Sequence, residues 1–600
     1  MIEYKKVKMT LNEGQKNMVD ELLKFYGDDD QYFFVVSGGG GTGKTFTLKS
    51  FLKQVGNNDE GDEFFFCSPT HKALNVLKQS ILEKDNNGDV LHIPNSQFMT
   101  IARLLKYRQK TNAETGKKTF ESEAVIKNEI VKKNGTKKIT WAIKQVIYKE
   151  LVDESINGEK KYEEKARGIF DNDNYFNKLI IIDECSMITS EQYEILKVFQ
   201  KEVNCKIVFV GDPCQLPPIE EERKNKISKS FNQTMGVKLT KTMRTSDNNI
   251  YKIYNLFREC IYSNGGVKNY LIHLYKQGNL GNVLITTSKS KFLREIKNGL
   301  LKKKETFRIL AYTNKVVEHY NNTVINFYNE DNVVKKKFKI NDRVVTTDLL
   351  FTEEPLCSGT TKENPNKNSN FKLYDHWPCG KFFSNTDLII DDIEEEEIYS
   401  DYFGKEFKTY KMGVYTEKKC PEHPEGFLEF NIRKIHEDDK KKFSKYKSKK
   451  KKKIEKEIKT LMNEREKKKL WNEFNKQVSL HNAPIRHAYS TTIHKSQGST
   501  FDNVFIDVQD VLDARKFTSD FEIYRALYTA VSRSRKTLTL LFQIDKGDVS
   551  KEFEETFNRK CSRCHSKKIF KEFERPNGIT KKTCNQCSIT RKNKRLNKKV

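Results

Sequence analysis

Short apolar runs recur along the chain, each ending in glycine or polar residues and most leading into a stretch with helical spacing. Residues 32–36, 64–67, 179–182 and 207–210 have this character in the first half, and residues 307–311 and 504–508 repeat it in the second. Runs this short and continuous, without polar alternation, fit strands buried on both faces of a parallel sheet. Helical segments at 46–52 and 73–77 fill two of the connections, and another helix should run from Thr10 or Asn12, its candidate N-caps, towards Phe25. The pattern predicts an α/β fold.

The chemistry is carried by the residues at the C-terminal end of each run. After the first comes Gly38-Gly39-Gly40-Gly41-Thr42-Gly43-Lys44-Thr45 and then a helix. A phosphate chain needs several backbone N–H groups turned to one point, which requires a loop without side chains and a helix N-terminus to end it. In this GxxxxGK[ST] pattern Lys44 reaches the β- and γ-phosphates and the Thr45 hydroxyl ligates magnesium, so Gly38, Gly41, Gly43, Lys44 and Thr45 are candidate ATP contacts. The second run ends in Ser68-Pro69-Thr70-His71-Lys72, placing polar and basic groups where an open α/β sheet has its ligand crevice. The third ends in Asp183-Glu184, with Asp183 the outer partner of magnesium and Glu184 the base that orients water. The fourth ends in Gly211-Asp212-Pro213-Cys214-Gln215, whose Gln215 is placed to sense the γ-phosphate. Gln15 is an amide able to pair with adenine; an exposed helical glutamine is the plainer alternative.

Charge narrows the partner. Lys and Arg number 110 against 82 Asp and Glu, a formal net charge of +28 over 600 residues, which argues for nucleic acid or, less well, an acidic membrane surface. No run of 18 apolar residues occurs and the N-terminus lacks an apolar signal core, so a soluble intracellular protein is expected, in nucleus, cytoplasm or a viral replication compartment. Of 12 cysteines, eight are scattered and four cluster near the end, as expected of a reducing compartment plus one metal site.

The glycine loop, Ser-Pro-Thr-His-Lys, Asp-Glu-Cys-Ser-Met and Gly-Asp-Pro-Cys-Gln-Leu-Pro-Pro, in this order and spacing, resemble motifs I, Ia, II and III of superfamily 1 DNA helicases, in the RecD-like and Dda-like branch. Residues 100–105 resemble motif Ib, 307–314 motif IV, 489–500 motif V and 527–535 motif VI. The resemblance covers roughly residues 8 to 545. It implies two RecA-like P-loop lobes, ATP and magnesium as cofactors, and movement 5′ to 3′ on single-stranded DNA in replication, repair or recombination. It also implies that Gln15 contacts adenine, that Arg244 and Arg533 act as arginine fingers, and that Gly498 lies near the nucleotide. By the same mapping Pro69, Thr70, His71, Thr492, His494 and Lys495 lie towards DNA. The catalytic set is then Lys44, Glu184, Gln215, Arg244 and Arg533. RNA as the track remains an alternative, as does a nucleotide-switched binding scaffold without unwinding activity. The abundance of Lys, Asn, Ile and Phe resembles coding from an AT-rich genome, such as that of a large DNA virus.

On this reading residues 1–105 and 171–247 form the first lobe, and 248–345 with 481–548 the second. Residues 106–170 are an insertion with turn signals at Glu114-Thr115-Gly116 and Asn134-Gly135, where the family carries a strand-separating hairpin. Residues 346–480 are a second insertion, where the family usually has an SH3-like domain; here an acidic stretch at 391–397 and the lysine run 449–453 stand at opposite charge extremes. The tail, 549–600, holds Cys561-Ser562-Arg563-Cys564 and Cys584-Asn585-Gln586-Cys587. Two CxxC pairs at this spacing predict a tetrahedral zinc site in a basic module suited to nucleic-acid or partner docking.

Overall fold

The computed structural model describes residues 11–55, 63–82, 96–131, 137–154, 160–168, 170, 175–219, 225–241, 248–263, 266–278, 280–301, 306–329, 337–352, 381–382, 386–416, 429–543, 558–560 and 567–569. The chain divides into two compact units, one of residues 1–108, 122–313 and 492–600 and the other of residues 109–121 and 314–491.

The first unit contains two parallel sheets. Its elements begin with α1 (Glu13–Gly27), whose N-cap Asn12 and third residue Gln15 exchange a reciprocal capping box. Then come β1 (Phe33–Gly38), α2 (Lys44–Val55), β2 (Phe64–Ser68), α3 (His71–Leu82) and β3 (Gln97–Thr100). After an insertion come β4 (Leu179–Ile182), α4 (Ser190–Val203), β5 (Lys206–Gly211) and β6 (Met235–Leu239). The strands lie side by side in the order β6-β1-β5-β4-β2-β3, every neighbouring pair parallel. β4 is Leu-Ile-Ile-Ile, buried throughout, as a strand covered by helices on both faces must be.

The second sheet comes after α5 (Asn248–Ser263) and α6 (Val267–Gln277). Four of its five strands are β7 (Val283–Thr286), β8 (Phe307–Ala311), β9 (Phe501–Asp507) and β10 (Ser534–Leu541), with α7 (Lys289–Leu301) after β7 and α8 (Asp520–Val531) before β10. They run β7-β10-β9-β8, all neighbours parallel. One apolar cluster joins α5 and α8 to this sheet through Phe257, Tyr254, Tyr528 and Leu527.

Between β3 and β4 the chain makes three antiparallel hairpins: Tyr107–Thr111 with Lys118–Ser122, Val125–Val131 with Lys137–Ile143, and Gln145–Glu154 with Lys160–Gly168. In the first, the Asn112 side chain accepts from the Glu114 and Thr115 amides, and Gly116 turns the chain at φ 66°. Asn134-Gly135 falls outside the described residues.

The second unit holds a five-stranded antiparallel sheet in the order Glu429–Ile435, Lys405–Thr416, Asp387–Ser400, Arg343–Thr346, Ile485–His487. Arg343–Thr346 pairs with two of these strands, and Asp342 receives the Tyr489 hydroxyl and contacts the buried His487 ring, so residues 342–346 belong to this antiparallel sheet. Helices Lys440–Thr460 and Glu464–His481 pack together through Ile454, Ile458, Trp471 and Phe474. The tip of the first hairpin belongs here too. Trp471 donates its indole N–H to Ala113 O at 3.2 Å, Lys467 pairs with Glu114 at 2.6 Å, and a Cβ on Gly116 would lie 2.4 Å from the Trp471 ring.

Candidate nucleotide site

The glycine loop leaves the C-terminal end of β1 and closes onto α2. Gly41 and Gly43 take φ 79° and 82°, the left-handed region that a side chain disfavours, so glycine is required at both. The Thr42 hydroxyl donates to Gly39 O at 2.9 Å and holds the loop's curl. Lys44 folds its ammonium onto the Gly38 and Gly39 carbonyls at 2.8 and 3.1 Å. Thr45 stands half-buried in the first turn of α2.

The two neighbouring strand ends bring in the polar groups. Asp183 is pushed up to about 7 by burial first and then by the adjacent Glu184 carboxylate, against a backbone hydrogen bond and the Lys44 ammonium, which pull it down. A carboxyl so placed favours a cation beside it. Glu184 sits at φ 52°, ψ 39°, a left-handed conformation rare for a residue with a Cβ, and strain of this kind concentrates where a side chain must be aimed. Gln215 is buried and its Oε1 has no hydrogen-bond partner. These features suit a magnesium nucleotide: Lys44 and the loop amides for the phosphates, Thr45 and Asp183 for the metal, Glu184 and Gln215 for water and the terminal phosphate.

Gln15 reaches the same place from α1. Its Oε1 accepts from the Asn12 amide at 3.0 Å and its Nε2 donates to Thr42 O at 3.3 Å. One amide hydrogen and one lone pair remain for an adenine edge. The glutamine is buried, not the exposed helical residue of the plainer alternative.

The second sheet contributes groups that the sequence motifs do not single out. The Gly40 amide donates to Tyr254 Oη at 2.5 Å; Tyr254 is hydrogen-bonded to Tyr528, and Tyr528 donates to Asp212 Oδ2 at 2.7 Å. This chain of hydroxyls runs from the phosphate loop through α5 and α8 to the loop after β5. That loop, 212–216, is held on its backbone as well. Arg525 donates to the Pro213 and Gln215 carbonyls, Thr529 Oγ1 accepts from the Leu216 amide at 3.2 Å, and Gln497 donates to Leu216 O at 3.0 Å. Burial pushes the Arg525 guanidinium down and the Tyr254 and Tyr528 hydroxyls well up, so both phenols stay protonated and free to donate.

Arg533 is 3% exposed and turned into its own sheet. Its guanidinium donates to Thr529 O, Ser532 Oγ and Ser499 O. Gly498 stands against α3, where a Cβ would lie 3.0 Å from Ala73 Cβ. Arg244 lies outside the described residues, as do Cys561, Cys564, Cys584 and Cys587; among the described residues no group of three or more His, Cys, Asp or Glu is arranged to hold a metal.

Of the residues mapped towards DNA, Thr70 accepts from the Ala73 amide at the start of α3, beside half-buried Pro69 and His71. Burial lowers the His71 pKa, which favours a neutral imidazole. Thr492 is buried and accepts from the Lys495 amide at 3.4 Å. His494 lies 3.6 Å from Glu522 and edge-on to Tyr312, whose ring in turn contacts Phe517. Phe517 is 68% exposed, an aromatic face of the kind on which bases stack.

Two family models match the sequence, an AAA domain over residues 27–221 and a UvrD-like helicase C-terminal domain over residues 487–541. An uncharacterized protein of Acanthamoeba polyphaga mimivirus is 24% identical over 555 residues, 89% of this chain and all of its own length. The ATP-dependent DNA helicase Pif1 of Campylobacter jejuni is 23% identical over 385 residues, 60% of this chain and 68% of its own. A crystal structure of Pif1 helicase from Bacteroides, in complex with ssDNA and a nucleotide analogue, aligns over 91% of this chain and 96% of its own at 16% identity and a TM-score of 0.38. No described helix is long and apolar enough to cross a membrane.

Proposed function

We propose, from the premise that this chain is a superfamily 1 helicase of the Pif1- and Dda-like kind and hence an ATP-dependent DNA helicase and hydrolase, that it translocates 5′ to 3′ along single-stranded DNA and unwinds the duplex ahead. The observation that carries the mechanism is the connection between the two parallel sheets. The phosphate loop is hydrogen-bonded to Tyr254, the loop bearing Gln215 to Arg525, Tyr528 and Thr529, and Tyr254 to Tyr528. A nucleotide whose phosphates take the Gly40 amide competes with its bond to Tyr254, and one that draws the Gln215 side chain pulls on a loop whose backbone Arg525 and Thr529 hold, so its presence is felt by α5 and α8.

The chemistry follows from the positions of the side chains. Magnesium, when bound, neutralises phosphate charge and aligns the terminal phosphoryl group. Lys44 leaves the Gly38 and Gly39 carbonyls for the phosphates. Glu184 orients water and takes its proton, while Gln215 holds the terminal phosphate or the attacking water. Arg244 and Arg533 complete the charge; Arg533 must swing out from Ser499 O to do so, which ties hydrolysis to movement within the unit. Pro69, Thr70, His71, Thr492, His494 and Lys495 form the track. In the tail, Cys561, Cys564, Cys584 and Cys587 would hold zinc, a reading that rests on the spacing of the two CxxC pairs; the strands Asn558–Lys560 and Lys567–Ile569, which flank the first pair in sequence, run antiparallel.

Strand displacement on DNA duplexes carrying only a 5′ or only a 3′ single-stranded tail, with an RNA duplex alongside, tests the proposal. Unwinding of the 5′-tailed DNA alone is expected. Unwinding only from a 3′ tail overturns the direction, and equal unwinding of RNA overturns the track. No ATPase stimulation by single-stranded DNA would overturn the motor itself.

A further inference from the structure

We infer that helix Lys440–Thr460 is a binding surface for the sugar-phosphate backbone of duplex DNA, separate from the single-strand track and resting on the helicase reading only for its biological use. The helix is 21 residues long and 12 of them are lysine. At 100° per residue, Lys441, Lys445, Lys449, Lys452, Lys456 and Lys459 fall within an arc of about 80°. No other residue of the helix falls in that arc. The buried residues Phe443, Ile454 and Ile458 lie on the opposite side, and both acids of the helix, Glu455 and Glu457, lie outside the stripe.

All six stripe lysines are exposed, and none has an ion-pair partner among the described residues. Their neighbours differ: Lys440 pairs with Glu437, Lys442 with Asp439, Lys451 with Glu455, and Lys450 lies over the Tyr402 ring. Of the acidic stretch that would be the obvious internal counter-charge, Glu396 pairs with Arg433 at 2.7 Å and Glu395 with Lys408 at 3.6 Å, and among the described residues none of its carboxylates pairs with the stripe. The stripe therefore consists of five successive i,i+3 or i,i+4 lysine pairs, each mildly repulsive. A face serving only solubility relieves such repulsion by alternating signs; this one retains it along the whole helix, which is what an external polyanion offsets.

Shape selects the polyanion. The six charges extend over about 27 Å in a straight line, matching about eight base pairs of B-DNA axis, whose phosphates lie at fixed spacing. The stripe has no aromatic residue, so it offers no stacking platform of the kind that single-strand sites use. An acidic protein segment would satisfy the charge without the length.

The test is the full chain carrying Lys441→Gln, Lys445→Gln, Lys449→Gln, Lys452→Gln, Lys456→Gln and Lys459→Gln together, which keeps helix propensity. Binding to a blunt duplex and to an oligothymidylate is measured across a salt series, with ATPase stimulation by the oligothymidylate in parallel. Duplex affinity should fall about 100-fold at 100 mM salt and the log–log salt slope should flatten by about three to five, while single-strand binding and ATPase stay within about twofold. A matching six-fold Lys→Arg variant should retain duplex binding. Unchanged duplex affinity would overturn the inference and point to an acidic protein as the occupant; equal loss on single strands would overturn it by placing the stripe on the track; loss in the arginine variant would show that charge is not what binds. Absence of any ATPase stimulation in the unaltered chain would count against the motor reading and leave the duplex measurement standing.

Discussion

Tyr254 makes the sharpest prediction, because its hydroxyl accepts from a loop amide that a phosphate also needs. In the described conformation the Gly40 N–H donates to Tyr254 at 2.5 Å, and a nucleotide must break that bond before its phosphates can take the amide. Tyr254→Phe removes the acceptor while keeping the ring, which packs on Tyr528 with centroids 4.6 Å apart. A neutral hydrogen bond contributes about 0.5–1.5 kcal/mol net, so losing the competitor should tighten nucleotide binding by roughly two- to tenfold. Tyr528→Phe is the control. It leaves the Gly40–Tyr254 bond in place but strands Asp212 Oδ2 at about 1–3 kcal/mol, a loss of stability in the 212–216 loop without a gain in affinity.

The assay is titration calorimetry with ADP and with a non-hydrolysable ATP analogue in the absence of DNA, alongside DNA-stimulated turnover. Tyr254→Phe should bind more tightly yet respond less to DNA, because the hydroxyl chain between the two sheets is cut. Weaker binding in Tyr254→Phe would refute the competition and make the hydroxyl a group that holds nucleotide. Equal tightening in Tyr528→Phe would refute the assignment of the effect to the Gly40 amide.

Glu184→Gln should keep nucleotide and single-strand binding and lose turnover by at least about 100-fold, since an amide of the same shape cannot take a proton, whereas Lys44→Ala should weaken nucleotide binding itself; equilibrium binding beside ATPase rates separates the two. Lys434 donates to Ala483 O at 2.6 Å, and burial, with Lys337 and Lys440 adding to it, lowers its pKa to about 7 from 10.5. The unfolded chain therefore holds more protons between pH 7 and 10.5, so this lysine makes stability rise with pH across that window; thermal melting should show it, and Lys434→Met should flatten it. Deleting residues 549–600 should remove one zinc per chain by elemental analysis while leaving DNA-stimulated ATPase within about twofold, because a four-thiolate site has no open position for chemistry.

The parts of this fold legible in sequence are those whose signals are local. Apolar runs read as strands because burial on both faces leaves no polar alternation, and the polar residues after them lie at one sheet edge because parallel strands all end on the same side. The three-residue spacing of Asn12 and Gln15 is a capping-box signal, so the structural engagement of Gln15 was readable beside the two readings of a base contact and an exposed helical residue. Asn157-Gly158 is a hairpin signal of the same kind as Asn134-Gly135, and the strands Gln145–Glu154 and Lys160–Gly168 flank it. Tyr254 and Tyr528 were not legible. Each reads as one apolar position on an amphipathic helix, and the partners that give them meaning lie 214 and 316 residues away, at Gly40 and Asp212. The lysine helix was half-legible: composition gives the charge, and only the placement of Phe443, Ile454 and Ile458 shows which lysines remain for a ligand.

On the proposed function, the loop 212–216 is where a chemical event in the first sheet would be passed to the second. Its Pro213 and Gln215 carbonyls and both polar backbone atoms of Leu216 bond to Arg525, Thr529 and Gln497, while the side-chain oxygen of Gln215 is left without a partner. The Gln215 side chain therefore has hydrogen-bonding capacity to spare, and the backbone is what the second sheet grips. A ligand that draws Gln215 towards itself strains four contacts at once, each worth about 1 kcal/mol net, so the combined coupling is a few kcal/mol. That is enough to move a two-state equilibrium within the unit by two to three orders of magnitude, and small enough for phosphate release to reverse it. A looser grip would let Gln215 follow the phosphate with nothing else moving, and a tighter one would lock the loop against the nucleotide; a set of individually modest hydrogen bonds to backbone lies between those limits.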